Sequence, residues 1–159
     1  MLRLPNFSNI SQYKRVGAIS LVEGLEFIRS SRLSTANRLE PKTIFGVKFR
    51  CGSNRLATFL YKGTDCVNCG RKGSYFALEW CKNQTAGLCH LNLWGITDKG
   101  IHFLMTSDHI MPKSKGGEGS IQNRQPMCAG CNSKKGNLTP EQLRIRAIRR
   151  ELKLKRKKV

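Results

Sequence analysis

Thr106-Ser107-Asp108-His109-Ile110-Met111-Pro112-Lys113-Ser114-Lys115-Gly116-Gly117 is the stretch on which the fold turns. It is entered from Ile101 to Thr106, where apolar Ile101, Phe103 and Met105 recur at every second position, the period of a strand. It is left through Gly116-Gly117-Glu118-Gly119, which reads as a loop. The chain then continues as Asn123-Arg124-Gln125-Pro126-Met127-Cys128 and ends the region with Cys131-Asn132-Ser133-Lys134-Lys135-Gly136-Asn137. Asp108-His109 sets a hard oxygen ligand beside an imidazole that is neutral near pH 7. Strict alternation sends Asp108 and His109 to opposite sides of the strand. A strand end or a bulge near Ser107 is needed for both to act at one point.

Outward from this stretch lie the cysteines. Cys66-Val67-Asn68-Cys69 and Cys128-Ala129-Gly130-Cys131 are two Cys-x-x-Cys pairs, four thiolates that suit a closed tetrahedral Zn²⁺ site. The 58 residues between Cys69 and Cys128 are too many for a simple ribbon, so a whole substructure must be inserted between the pairs. Cys81 and Cys89 with His90 offer an alternative completion of a site with Cys66 and Cys69. Two unrelated buried thiol pairs form a blander alternative, and a redox Cys-x-x-Cys lacks its βαβ setting. Cys51 reads as a buried free thiol, and His90 and His102 as packed or surface residues of strands.

Local signals place the other elements. Ser20-Leu21-Val22-Glu23 is a capping box, so a short helix runs to about Ser30 with Leu21, Leu25 and Ile28 on one face. Thr43 to Arg50 reads as a strand, and Ser53 caps a helix through Tyr61 that Gly63 ends. Tyr75 to Trp80 and His90 to Trp94 read as strands, with Thr97-Asp98-Lys99-Gly100 as a turn. Thr139-Pro140-Glu141-Gln142 is a second capping box with Pro at the first helical position. The helix it opens is expected to bury Ile145, Ile148 and Leu152 and to expose Arg144, Arg146, Arg149 and Arg150.

The 159 residues carry 29 Lys and Arg against 10 Asp and Glu, a net charge of +19 that points to a polyanionic partner. The charge is uneven: +8 over residues 1–62, +4 over 63–138 and +7 over 139–159. The nearly balanced middle holds six of the seven cysteines and all three histidines, which suggests a compact module between two basic arms. No apolar run approaches the roughly 20 residues that span a bilayer. Met1 to Asn6 lacks the apolar segment of a secretion signal, and cysteines without such a signal suit metal binding in a reducing, cytoplasmic setting.

Asp108-His109 at a strand end, Asn123 after a loop and Asn132 on the following helix, with Pro112, Gly117, Lys135-Gly136 and the flanking cysteine pairs, resemble the HNH nuclease family, also called the ββα-metal or His-Me finger fold. The resemblance covers about residues 64–138 and is similar to phage or mobile-element enzymes. It implies His109 as general base, Asp108 and Asn132 as ligands of a catalytic divalent cation (Mg²⁺, or Mn²⁺ in its place), and Asn123 as the residue that holds the loop and the orientation of His109. The family's last position is often His, and Asn132 stands there in this chain.

The expected fold is α+β: a ββα-metal core stabilised by a four-cysteine zinc site, with flanking basic helical segments. Residues 1–62 form a basic accessory region, 63–138 the nuclease core, and 139–159 a basic helix and tail. The implied function is metal-dependent cleavage of DNA phosphodiesters, with RNA not excluded, by a monomer or homodimer with no membrane partner, encoded by a phage and acting in the host cytoplasm. Lys113, Lys115, Lys134, Lys135, Arg144, Arg149 and Arg150 are the expected phosphate contacts. The rival reading is a non-catalytic, zinc-stabilised nucleic-acid-binding protein.

Overall fold

A computed structural model describes residues 13–33, 40–81 and 87–156. The basic tail beyond Arg156 lies outside the described residues. Chain order is β1 (Tyr13–Ser20), α1 (Leu21–Ser30), a hairpin of β2 (Lys42–Ile44) and β3 (Val47–Phe49), α2 (Asn54–Lys62), β4 (Tyr75–Cys81), β5 (His90–Ile96), β6 (His102–His109), β7 (Arg124–Cys128), α3 (Ala129–Lys135) and α4 (Pro140–Arg156). The fold is mixed α and β, as the sequence implies. Among the described residues no helix is long and apolar enough to cross a membrane.

The main sheet has five strands in the order β1-β4-β5-β6-β7, all neighbours antiparallel. The capping box opens α1 as expected: Ser20 Oγ accepts from the Glu23 amide at 3.2 Å, and the Glu23 carboxylate accepts from the Ser20 amide at 2.9 Å. Gly24 lets α1 sit directly on the Phe76 ring, which a Cβ there would strike. The stretch expected as one strand near Thr43 is a hairpin instead. Phe45 and Gly46 both take positive φ, 51° and 73°, which suits a tight two-residue hairpin turn.

The N-terminal third was expected as a basic helical flank. Among the described residues it supplies α1, α2 and the β2–β3 hairpin, and also β1, which pairs with β4 along Tyr13–Ser20. A single core cluster runs from Ile19, Ile28, Phe49, Leu56 and Phe59 through Phe76, Leu78, Leu91 and Leu93 to Met105 and Met127. Each such side chain contributes about 1.5–3 kcal/mol on burial, so β1, α1, β3 and α2 are bound into the same body as the motif strands. Cys51 is fully buried and free, as expected, and burial raises its thiol to about 11. Glu79, 2% exposed, is compensated by a guanidinium fork from Arg15 at 2.7 and 2.9 Å and by the Asn92 and Trp94 side chains, which welds β1 to β4 and β5.

Helix α4 departs from expectation. Ile145, Ile148 and Leu152 are 42%, 58% and 52% exposed, not buried. The capping box at Thr139 and Gln142 does form. A good cap and an amphipathic repeat start and support a helix, but they do not supply the surface on which it must pack.

Candidate active site and metal centre

β6 and β7 form a hairpin and the chain passes straight into α3 at Cys128, giving strand, strand and helix in sequence. A seven-residue helix is marginal alone. Here its side chains anchor it: Asn132 Nδ2 donates to Thr106 Oγ1 at 3.0 Å, and the Lys135 ammonium reaches Asp108 and the His109 carbonyl.

The Cys66, Cys69, Cys128 and Cys131 sulfurs all lie within 4.8 Å of one another. A tetrahedral Zn²⁺ with arms of about 2.3 Å sets its sulfurs about 3.8 Å apart. The Cys69–Cys128 separation is 3.8 Å, so this donor set fits a structural metal. The first pair sits on a tight turn closed by the Gly70 amide to the Cys66 carbonyl at 2.8 Å, and the Val67 amide docks that turn onto Pro126 of β7 at 3.0 Å. Burial by itself raises the Cys66 thiol, but backbone amides of Cys128, Asn68 and Cys69 hydrogen-bond its sulfur and bring it down to about 7. The alternative set is not assembled: Cys81 Sγ lies 3.6 Å from His90 Nε2 on exposed strand ends, and Cys89 is buried beside Phe49.

The regular β6–β7 register runs unbroken from Met105↔Cys128 to His109↔Arg124, with no bulge at Ser107. Alternation therefore holds, with Thr106 and Asp108 facing α3 and Ser107 and His109 on the opposite side. β6 parts from β5 after Leu104, so its last residues have one open edge. An open cleft at this strand end is lined by Asp108, His109 and Asn132 together with Lys113 and Lys135. The strand end, not a bulge, brings these residues to one cleft.

Asp108 is 7% exposed and heavily engaged. Its carboxylate accepts from Gln125 Nε2 at 2.8 Å and pairs with Lys135 Nζ at 3.1 and 3.2 Å. The Thr106 bond takes the amide nitrogen of Asn132 and leaves its Oδ1 for another partner. A carboxylate and an amide oxygen in one cleft are hard donors of the kind Mg²⁺ and Mn²⁺ take.

Asn123 fastens the connecting loop. Its Oδ1 accepts the Met111 amide at 2.8 Å, and its Nδ2 donates to the Met111 and Glu118 carbonyls at 3.0 and 2.8 Å. Gly117 is required beside it, because a Cβ there would run into the Met111 carbonyl. His109 Nε2 is buried without a hydrogen-bond partner among the described residues. Burial pushes the imidazole below its ordinary value, and the charges of Arg124 and Lys113 push the same way against the opposing pull of Asp108.

The expected phosphate contacts divide. Lys113, Lys115, Lys134, Arg144, Arg149 and Arg150 are exposed. Lys135 is 4% exposed, with its ammonium spent on Asp108 and His109 O, so it is not a surface contact. Sequence reasoning also missed Gln125, Thr106 and the bond between Thr58 of α2 and Ser107 at 2.9 Å. A signal for Lys135 was present: it stands three residues after Asn132, which places both on one helix face. His90 is exposed, and His102 accepts or donates at 2.8 Å with Tyr75 OH, away from the cleft.

Residues 98–147 match the family model described as HNH endonuclease. No curated protein and no solved structure matches the chain.

Proposed function

We propose that this chain, whose residues 98–147 form an HNH endonuclease domain, is a divalent-metal-dependent endonuclease that hydrolyses DNA phosphodiester bonds. The observation that carries the reading is that Asp108, His109 and Asn132 line one open cleft at the end of β6.

In this reading Asp108 and Asn132 hold one Mg²⁺ or Mn²⁺ through their oxygens. When bound, that ion stabilises the charge that grows on the phosphate and on the leaving oxygen. His109, held neutral by burial and by its cationic neighbours, takes the proton of the attacking water. Asn123 keeps the loop folded so that Lys113 stays at the cleft rim, where it and Lys115 offset the charge of flanking phosphates. The four cysteines hold a structural Zn²⁺ that pins α3, and Asn132 with it, to the Cys66 turn. The exposed arginines of α4 add affinity for the duplex. Cysteines spent as metal ligands suit a reducing cytoplasm, as for a phage-encoded enzyme acting in its host. One such site cuts one strand, so a monomer nicks and a double-strand break requires a dimer or two visits.

Lys135 neutralising Asp108 favours a second reading, a nucleic-acid-binding module without catalysis. Incubating the purified protein with supercoiled plasmid separates the two. The nuclease reading predicts conversion to nicked circles with Mg²⁺ and none with EDTA. Unchanged plasmid at every divalent ion tried, from protein that binds it, supports the binding module. Matched single-stranded DNA and RNA substrates then assign the nucleic acid.

A further inference from the structure

A buried lysine is rare and needs a reason. Lys135 Nζ lies 3.1 Å from Asp108 Oδ2, 3.2 Å from Oδ1 and 2.8 Å from the His109 carbonyl oxygen, with side chains 3% and 7% exposed in the pair. An ammonium therefore already sits on the carboxylate proposed to hold the catalytic cation. We propose that Lys135 is a resident counter-ion that keeps the cation site weak in the free protein, so that a divalent ion binds well only when a substrate phosphate adds its negative charge. This rests on the reading of Asp108 as a cation ligand.

The argument is electrostatic. A buried carboxylate without a counter-charge is strongly unfavourable, and Lys135 supplies that charge while holding Asp108 in place. A divalent ion on the same carboxylate stands on the order of 5 Å from the ammonium, where like charges at an effective dielectric near 20 repel by more than one decade in affinity. Gln125 and Asn132 are neutral and do not offset this repulsion. The anionic oxygens of a phosphate do. Lys135 is thus a positioning residue for Asp108 and, through its charge, a brake on binding of the cation without substrate.

The test measures Mn²⁺ binding directly, by the electron paramagnetic resonance signal of the free ion, on zinc-loaded full-length protein without nucleic acid. Lys135→Gln keeps an amide donor for Asp108 and the His109 carbonyl but removes the charge, and Lys135→Met removes both. Each is scored only where zinc content and cooperative melting show a folded protein. The proposal expects either variant to bind Mn²⁺ at least about tenfold more tightly than wild type, and Lys135→Arg to restore weak binding. A purely structural lysine would give the reverse, weaker binding as Asp108 loses its support. Equal or weaker affinity in folded Lys135→Gln overturns the proposal. Asp108→Asn in the Lys135→Gln background should abolish the gain. Mn²⁺ binding indifferent to Asp108→Asn in both backgrounds would instead remove the Asp108 site itself, a failure of the underlying reading.

Discussion

On one face of β6, Thr106 and Asp108 meet α3, and both side chains are fully engaged, by Asn132, Gln125 and Lys135. On the other face, Ser107 bonds Thr58 of α2 and accepts from Arg124 at 3.2 Å, while His109 Nε2 takes no partner among the described residues. The two faces are built by distant parts of the chain, one by the helix that carries the second cysteine pair and one by the N-terminal third. The contrast is between a side that is already organised and charge-balanced and a side that is left chemically unsatisfied. A metal ligand gains fixed geometry from the first condition, while the Lys135 charge that supplies the balance opposes an added cation. A general base profits from being neutral, and burial with the nearby cations Arg124 and Lys113 favours that form of His109.

The contrast can be broken most severely at Cys128, which caps α3 and belongs to the four-sulfur cluster. Cys128→Ser should lose the zinc and most of a folding contribution on the order of 10 kcal/mol, so that the Asp108 face comes apart. Metal analysis and thermal melting on the same preparation check this, and a stable Cys128→Ser protein with full zinc would remove the cluster from the account. Truncation after Leu138 should do the opposite and leave both faces standing, since α4 reaches α3 through Arg146 on the Lys134 carbonyl and exposes Ile145, Ile148, Leu152 and Leu154. Binding to duplex DNA should weaken strongly, and the log–log salt dependence should flatten by about 0.9 for each phosphate that is no longer neutralised. An unchanged slope would make α4 only a solvated surface. Thr58→Val makes the smallest cut, the bond to Ser107 on the His109 face together with the local bond of Thr58 Oγ1 to the Asn54 carbonyl. It should cost about 1 kcal/mol, lowering the melting temperature by about 2–4 °C, with zinc retained. A loss of zinc there would show that the two faces are not independent.

Much of this arrangement was legible in the residues. The two capping boxes fixed where α1 and α4 begin, because a Ser or Thr side chain and an acid or amide three residues on satisfy backbone donors locally. The cysteine pairs announced their cluster for a similar reason, since x-x spacing alone brings two sulfurs to one ion. Asp108, His109, Asn123 and Asn132 could be named in order. What could not be read was anything that depends on partners distant in the chain. β1 looked like part of a basic arm because its pairing with β4 leaves no mark on its own composition. Ile145, Ile148 and Leu152 looked like a buried stripe because periodicity records one face of a helix and not whether another element meets it. Lys135 looked like one more surface cation, and only the folded β6 shows that Asp108 lies beneath it.

The most direct measurement of the central claim is single-turnover nicking of a supercoiled plasmid by His109→Ala across pH, with zinc content and DNA binding measured on the same preparations. The shift of His109 below its ordinary value of 6.5 keeps the neutral, proton-accepting form in the majority down to pH values under 6.5. The wild-type rate should therefore hold from neutral pH down to about pH 6.5 and fall only below it. Folded His109→Ala should keep its zinc and bind DNA, cleave about 10²–10⁴-fold more slowly, lose that acid limb, and recover part of the rate as hydroxide rises. Wild-type rates from a folded, zinc-loaded His109→Ala protein would contradict the account.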